Sequence, residues 1–215
     1  MKLYLKFLSI HFRSAMTYRS SFFLSCLGHL LITANVFLSV AFLMDRFESI
    51  GGYTLPQLSL CYAVILAGTS LAECFARGID AFGRILSQAQ FDRIMLRPRP
   101  LLFQVLCQDM KPTMLARLLQ AVIMLAWAIP SGAVHWTPFK ALTLALMILC
   151  GAGIFFGVFL INACVTFFTL EHVEALNIFM DGPREYGKYP FGIYGKPVLL
   201  ILTFLVPLAL VQHWP

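Results

Sequence analysis

Long uncharged apolar stretches, separated by short polar segments, dominate the pattern of the chain. An α-helix needs roughly 20 apolar residues to cross the hydrocarbon core of a bilayer. Five stretches of that length lack any Asp, Glu, Lys or Arg: 24–44, 50–72, 118–139, 141–170 and 197–215. This pattern predicts about five transmembrane helices.

The composition agrees with a membrane protein rather than a soluble one. Hydrophobic residues make up 60% of the chain and charged residues 12%, which leaves too little polar surface to cover a soluble globule. A transmembrane β-barrel would show alternating segments of about 10 residues instead of continuous apolar runs. We therefore predict an all-α, polytopic membrane protein, with residues 1–215 forming a single transmembrane domain.

The first 20 residues form an element of their own. Their polar residues recur at steps of three and four and fall on one helical stripe: Lys2, Lys6, Ser9, Arg13, Thr17 and Ser20. Apolar side chains fill most of the remaining surface, which is typical of an amphipathic helix in the headgroup layer. The alternative is a plain extension of the first span. A natural bend at 18–21 favours two elements, so we predict an interfacial elbow helix over 2–20.

The basic residues cluster on two segments, which predicts the orientation of the chain. Four cations precede the first span, and most of the others lie between the second and third apolar stretches. Lys and Arg accumulate on cytoplasmic loops. The N-terminus and the 73–117 segment are therefore predicted to be cytoplasmic. The net charge of +6 follows from this topology and does not indicate a nucleic-acid partner.

A few polar residues interrupt the spans and are candidates for lining a transport pathway. They are His29, Asn35 and Asn162. A hydrogen bond to a neighbouring helix is the commoner role for such residues. Glu73 is also a candidate, because intramembrane carboxylates are often functional. Arg77 follows it by four residues, so an ion pair along one helix is the preferred interpretation.

The segment 77–112 carries a second amphipathic pattern. Apolar residues repeat there at helical spacing: Ile79, Phe82, Ile85, Leu86 and Ala89. Pro98 and Pro100 then exclude a helix, because each proline pushes the preceding residue toward extended geometry. We predict a cytoplasmic amphipathic helix that ends before Pro98. It either presses on another protein or lies on the inner leaflet, and the composition does not separate these alternatives.

Two further patterns concern packing and chemistry. Gly153 and Gly157 match the small-xxx-small pattern of closely packed transmembrane helices. The six cysteines are scattered without metal-ligand spacing, and the phosphate-loop, H-E-x-x-H and G-x-S-x-G motifs are absent. We therefore predict close helix packing in the fourth span, no catalytic residues, and no metal or cofactor bound by this chain.

Three short motifs give the chain a recognisable likeness. They are 91–98 (FDRIMLRP), 189–194 (YPFGIY) and 204–209 (FLVPLA). With these motifs, the chain resembles the membrane permease subunits of type-two ABC exporters, in particular a bacterial branch whose permeases occur in pairs. The likeness extends over essentially the whole chain.

The resemblance implies a mechanism and partners. Permeases of this kind have an N-terminal elbow helix, matched here by 2–20, and a cytoplasmic coupling helix that docks on the ATPase, matched by the 78–96 region. Two permease halves enclose the pathway, and separate ATPase subunits bind the ATP. The residues expected to contact the ATPase are Phe82, Ile85, Phe91, Asp92, Arg93 and Arg97. Such permeases usually have six spans, so the five counted here imply a truncated chain or a missing helix.

The leading hypothesis is a permease subunit of an ATP-driven exporter, without an ATPase site of its own. The alternative is a non-transporting membrane scaffold or regulatory subunit whose basic loop binds a cytosolic partner. The residues do not identify the cargo, and they leave a homodimer and a heterodimer of permeases both open.

Overall fold

A computed structural model describes residues 2–47, 53–131, 137–169 and Leu200. The described ranges are helical and contain no β-strand. The helices are α1 (Lys2–Thr17), α2 (Arg19–Phe47), α3 (Leu55–Asp80), α4 (Phe82–Ser87), α5 (Gln90–Met95), α6 (Leu101–Leu106), α7 (Leu115–Ala128) and α8 (Pro138–Thr169), with 3-10 turns at Pro112–Met114 and Ile129–Ser131. The predicted all-α fold of a membrane protein is confirmed.

Three of these helices, α2, α3 and α8, are long and apolar enough to cross a membrane. The predicted third span is shorter than expected, since the apolar helix there covers only Pro112–Ala128 including its 3-10 turn. The connection at 171–196 and, apart from Leu200, the fifth apolar stretch lie outside the described residues. The described part therefore contains three helices of spanning length and one shorter apolar helix.

Helix α3 is the centre of the bundle. In its most apolar window 78% of the residues are buried, against 11% for α2 and 17% for α8. It packs against α8 on one side and α7 on the other, and α2 packs mainly against α7. The outer surfaces of α2 and α8 are therefore left for lipid or for other protein.

The directions of α3 and α8 follow from two contacts. Gly68 of α3 meets Gly151 of α8, and further along the chain Phe82, two residues beyond the end of α3, meets Phe167 of α8. Contacts that advance together along both chains require parallel helices. This agrees with the predicted topology, in which the second and fourth spans cross in the same direction.

The directions of α2 and α7 follow in the same way. Arg117 at the start of α7 contacts His29 of α2, and Trp127 near its end contacts Phe37 of α2, so these two helices are parallel. Arg117 also bonds Glu73 near the end of α3, so α7 runs against α3. The four long elements thus alternate in direction along the sequence, as predicted.

A close approach of α3 and α8 lies at Gly151 rather than at the predicted Gly153 and Gly157. A Cβ on Gly68 would lie 3.3 Å from the backbone of Gly151 and Ala152. At Gly153 and Gly157 a Cβ would meet nothing within 4 Å among the described residues. The buried residues of α8 recur every three or four positions on the face that carries Gly151 (Gly151, Phe155, Phe159, Asn162 and Thr166). The predicted glycine pair lies off this face.

The boundaries of the second span shift toward the C-terminus. Helix α3 begins at Leu55, five residues after the predicted start, because Thr54 caps it: its N–H donates to Oε1 of Gln57 at 3.0 Å. The helix continues to Asp80, beyond the uncharged stretch that ends at residue 72. Charged side chains are accommodated there because they are paired, as described below.

The N-terminal elbow is a separate element, as predicted. Helix α1 ends at Thr17 and α2 begins at Arg19. The rings of Phe12 and Phe22 are 6.1 Å apart, whereas ten residues of a continuous helix would separate them by about 15 Å. The chain therefore bends sharply at Tyr18, and the alternative of a straight extension of the first span is wrong.

Helix α1 docks on one end of the bundle. The hydroxyl of Tyr4 donates to the carbonyl of Phe75 at 3.1 Å, and Nε2 of His11 lies 2.9 Å from the carbonyl of Cys107. Burial raises the pKa of Tyr4 to about 12. The face that carries these contacts is opposite the predicted polar stripe of α1, so Lys6 and Arg13 point away from the bundle.

Candidate functional site

The segment between α3 and α7, residues 81–111, is called the connecting loop, and the end of the bundle that carries it is called the basic end. Instead of the single amphipathic helix that was predicted, the loop contains three short helices, α4, α5 and α6. Ala89 separates α4 from α5 with a left-handed backbone, φ 54°. The chain reverses there, and α5 ends at Met95, before Pro98, as predicted.

The reversal brings apolar side chains of the loop into one core. Ile85 of α4, Ile94 of α5 and Val105 of α6 are each at most 5% exposed and belong to the same buried cluster as Phe155 and Phe159 of α8. Full burial of one such aliphatic side chain contributes about 1.5–3 kcal/mol. One straight helix could not place both Ile85 and Ile94 against α8, which is why the loop folds back.

Gly78 fixes α6 against α3. A Cβ on this residue would lie 2.1 Å from the carbonyl oxygen of Val105 and 2.9 Å from that of Leu106. No side chain fits in that space without moving the backbone of α6. Gly78 therefore permits direct backbone contact between a spanning helix and the connecting loop.

Aromatic rings join the loop to α8. The ring of Phe91 lies 5.6 Å from that of Phe82 and 5.6 Å from that of Phe167, close to the end of α8. Phe82 and Phe167 are themselves 6.4 Å apart. Edge and tilted ring contacts of this kind add about 0.5–1.5 kcal/mol per pair beyond the burial of area. The loop is thus attached to both α3 and α8.

Polar contacts complete the connecting loop. Nη2 of Arg84 lies 2.6 Å from Oδ2 of Asp109. The side-chain amide of Gln104 donates to the carbonyl of Arg99 at 2.9 Å and more weakly to that of Arg97 at 3.4 Å. It thereby holds the turn that contains Pro98 and Pro100. These bonds fix the two halves of the loop to each other.

The six residues predicted to contact an ATPase fall into two groups. Phe82 and Ile85 are 7% and 3% exposed, and both belong to the core that attaches the loop to the bundle. Phe91 is partly buried against Phe82. The other three are exposed on α5 and the turn after it, beside two apolar residues that are exposed as well. We call this surface the exposed rim; it consists of Asp92, Arg93, Met95, Leu96 and Arg97.

Beneath the basic end lies a buried charged cluster on three helices. Glu73 of α3 is 2% exposed, and its Oε2 lies 3.0 Å from Nη1 of Arg117 of α7. Nη2 of the same guanidinium lies 3.3 Å from Nδ1 of His29 of α2. The cluster therefore joins α2, α3 and α7 near the ends of α3 and α7.

The predicted ion pair of Glu73 with Arg77 is present, but it is the longer of the two ion pairs that Arg77 makes. Arg77 lies 3.8 Å from Glu73 and 2.9 Å from Asp80. Sequence reasoning missed Arg117, because this residue stands between the basic loop and an uncharged stretch and has no acidic residue nearby in sequence. The signal that could have pointed to a second cation was Glu73 itself, because carboxylates in spanning helices usually pair with groups inside the bundle.

The three candidate pathway residues lie apart. His29 belongs to the charged cluster, and Asn35 is exposed on the surface of α2. Asn162 is 6% exposed and faces a cleft at the basic end. The described residues contain no group of three or more His, Cys, Asp or Glu that could hold a metal ion. Burial raises the pKa of the Cys107 thiol in the loop.

Comparison with known proteins identifies a family. A family model described as an ABC-2 family transporter protein matches residues 30–215. The matched range contains α3 to α8, the connecting loop and all but the first 11 residues of α2. Comparisons with curated proteins and with solved structures found no match.

Proposed function

The chain belongs to the ABC-2 family of transporter proteins, and from this premise we propose that it is the permease subunit of an ATP-driven exporter. In this proposal a separate ABC ATPase binds and hydrolyses ATP, and the connecting loop receives its force. The chain would form the pathway together with a second permease, identical or homologous, in a bacterial inner membrane. Its N-terminus and basic end would face the cytoplasm.

The exposed rim is the observation that carries the proposal. A motor outside the membrane needs a contact surface that protrudes and that is stiffly connected to the spanning helices. Leu96, 85% exposed, lies on the rim between Arg93 and Arg97. Arginine and methionine are enriched in protein contacts, in which a few central residues carry most of the binding energy, and Leu96 adds apolar area that a partner would bury.

The attachments of the loop support force transmission through α3 and α8. Backbone contact at Gly78 joins α6 to α3, and the ring of Phe91 joins α5 to α8 through Phe167. A displacement of the rim would therefore move both parallel helices instead of bending a free loop. ATP-driven closure of two ATPase subunits would then draw the loops of two permeases together and open the pathway outward.

Co-purification tests the proposal. The tagged full-length chain is expressed in its native host and purified in mild detergent, and bound proteins are identified by mass spectrometry. An ABC ATPase is expected with the wild type. Replacing Leu96→Asp or Arg93→Glu should reduce its recovery at least about tenfold, since central contacts each contribute about 1–2 kcal/mol or more. Deleting 84–96 is less informative, because it also removes the buried Ile85 and Ile94.

Arg46→Glu provides the matched control. Arg46 is exposed near the end of α2 that lies opposite the basic end, so the same change of charge there should leave ATPase recovery unchanged. Equal recovery with the rim variants, or no ATPase with the wild type, would contradict the proposal. The second result would favour the scaffold alternative.

A further inference from the structure

A polar cleft of about 410 Å³ opens at the basic end, between the end of α3, the connecting loop and α8. Six polar residues line it: Arg77, Asp80, Arg84, Asp109, Lys111 and Asn162. They come from four separate segments of the chain. The cleft is distinct from the exposed rim, since none of its lining residues belongs to that surface.

The lining carries a surplus of positive charge. Arg77 is paired with Asp80 at 2.9 Å, and Arg84 with Asp109 at 2.6 Å. Lys111 is the remaining cation, and it has no ion pair among the residues that the structure describes. A guanidinium has five N–H donors, so the two paired arginines still have donors to offer. The cleft therefore presents cationic donors without a matching number of anions.

Asn162 provides an independent observation. It is 6% exposed, lies on the face of α8 that packs on α3, and borders the cleft. Its carboxamide makes no hydrogen bond to any described residue. The side chain is almost buried, but its amide atoms are not fully enclosed, so they open to the cleft, where a ligand or water can bond them. A polar group on the packed face of α8 thus borders a cleft that is rich in cations.

The depth of the cleft places it at a membrane surface. Arg77 lies about 33 Å along α3 from Leu55, and Asn162 about 36 Å along α8 from Pro138, at a rise of 1.5 Å per residue. The hydrocarbon core is about 30 Å thick. With the starts of α3 and α8 taken as the opposite boundary of the hydrocarbon core, both residues reach the level of the headgroups, where lipid phosphates lie.

We propose that this cleft binds the phosphate group of an anionic membrane lipid. Lys111 supplies the charge that balances the phosphate, and Asn162 donates an amide N–H to one of its oxygens. Arg77 and Arg84 contribute their remaining N–H donors from the edge of the cleft. The acyl chains extend along the apolar surface of α8. The proposal does not depend on coupling to an ATPase.

The test uses the full-length chain in non-ionic detergent and follows its thermal unfolding midpoint. Three probes are titrated: dioctanoyl phosphatidylglycerol, dioctanoyl phosphatidylcholine and inorganic phosphate. Phosphatidylglycerol should raise the midpoint at the lowest concentration. In Lys111→Gln the phosphatidylglycerol concentration that gives half of the midpoint shift should rise roughly tenfold or more, since a charged hydrogen bond is lost. In Asn162→Leu it should rise roughly three- to tenfold.

The control is Lys140→Gln, which removes an exposed lysine at the other end of α8 and should leave the titration unchanged. Lys111 lies in a partly exposed loop, so its variant remains informative if Asn162→Leu fails to fold. An unchanged titration in Lys111→Gln would overturn the site. An equal effect of phosphatidylcholine would overturn the preference for anionic lipid, and an equal effect of inorganic phosphate would overturn the lipid as the source.

Discussion

The middle of the bundle and its basic end are held together by different physical means. In the middle, α3 meets α8 at Gly68 and Gly151, where the backbones approach closely and apolar side chains surround them. At the basic end an ion pair joins α3 to α7, and aromatic rings attach the folded connecting loop to α8. Lipid tails are as apolar as leucine, so close packing has to replace the hydrophobic effect between helices inside the membrane.

This difference explains where the candidate functional surfaces lie. Close packing at glycines fixes the distance between helices but offers little that a partner or ligand could recognise. The basic end combines buried charges, an exposed rim and a polar cleft within a few helical turns. The two regions should therefore respond differently to substitution.

The largest effect is expected for Arg117→Met at the basic end. The substitution leaves the carboxylate of Glu73 buried without its nearest cation, and breaking a buried pair in this way costs about 3–5 kcal/mol. The free energy of unfolding in detergent measures the loss. Combining it with Glu73→Gln should cost less than the sum of the single changes, because the two residues are directly coupled.

Asn35→Leu is the matched control for that prediction. It also removes a polar group from a spanning helix, but at an exposed position of α2, and should change stability by less than about 0.5 kcal/mol. A loss of comparable size in both variants would mean that the charged cluster has no special role.

Gly78→Ala should have the next largest effect. Its Cβ would lie 2.1 Å from the carbonyl oxygen of Val105, so α6 has to move away from α3. Overpacking of this kind costs about 1–3 kcal/mol, and limited proteolysis should cut the connecting loop faster. Gly153→Ala is the control, because no described residue lies within 4 Å of the place that its Cβ would take. There the better helix propensity of alanine should give a gain of up to about 1 kcal/mol.

Local features of the sequence predicted much of the fold. The uncharged stretches located α2, α3 and α8, the prolines at 98 and 100 marked where helix ends, and the bend near Tyr18 separated α1 from α2. Each of these features depends on residues that are close in sequence. The assignment of coupling residues stays a prediction, although the structure shows that Phe82 and Ile85 lie in the core.

The contacts that the sequence did not reveal are long-range. Helix α8 is apolar on all sides, so its periodicity does not mark the face that meets α3, and Gly153 was chosen where Gly151 makes the contact. Glu73 and Arg117 are 44 residues apart, and only the antiparallel packing of α3 and α7 brings them together. The reversal at Ala89 was missed because alanine is a strong helix former and rarely adopts positive φ.

Ala89→Gly at the basic end is expected to stabilise the protein. Glycine adopts φ near 54° without the steric cost that alanine meets there. That cost is about 1–2 kcal/mol, partly offset by the greater freedom of glycine in the unfolded chain, so a net gain of roughly 0.5 kcal/mol is expected. Thermal unfolding should show it. Ala81→Gly, where φ is −76°, should destabilise instead.

The last prediction concerns the attachment of α1 to the basic end through Tyr4, which responds to pH. Burial raises the pKa of its hydroxyl from 10.0 to about 12, because the folded protein favours the neutral form. The contribution of the neutral Tyr4 hydroxyl to the stability of the folded protein is therefore complete below pH 10 and is lost as the pH rises through 12. Tyr4→Phe removes the hydrogen bond to Phe75 and costs about 1 kcal/mol of stability. It should also make the thermal unfolding midpoint less dependent on pH between pH 10 and 12. Tyr18→Phe, on an exposed ring, is the control; if its alkaline profile matched that of Tyr4→Phe, the docking of α1 would not account for the pH dependence.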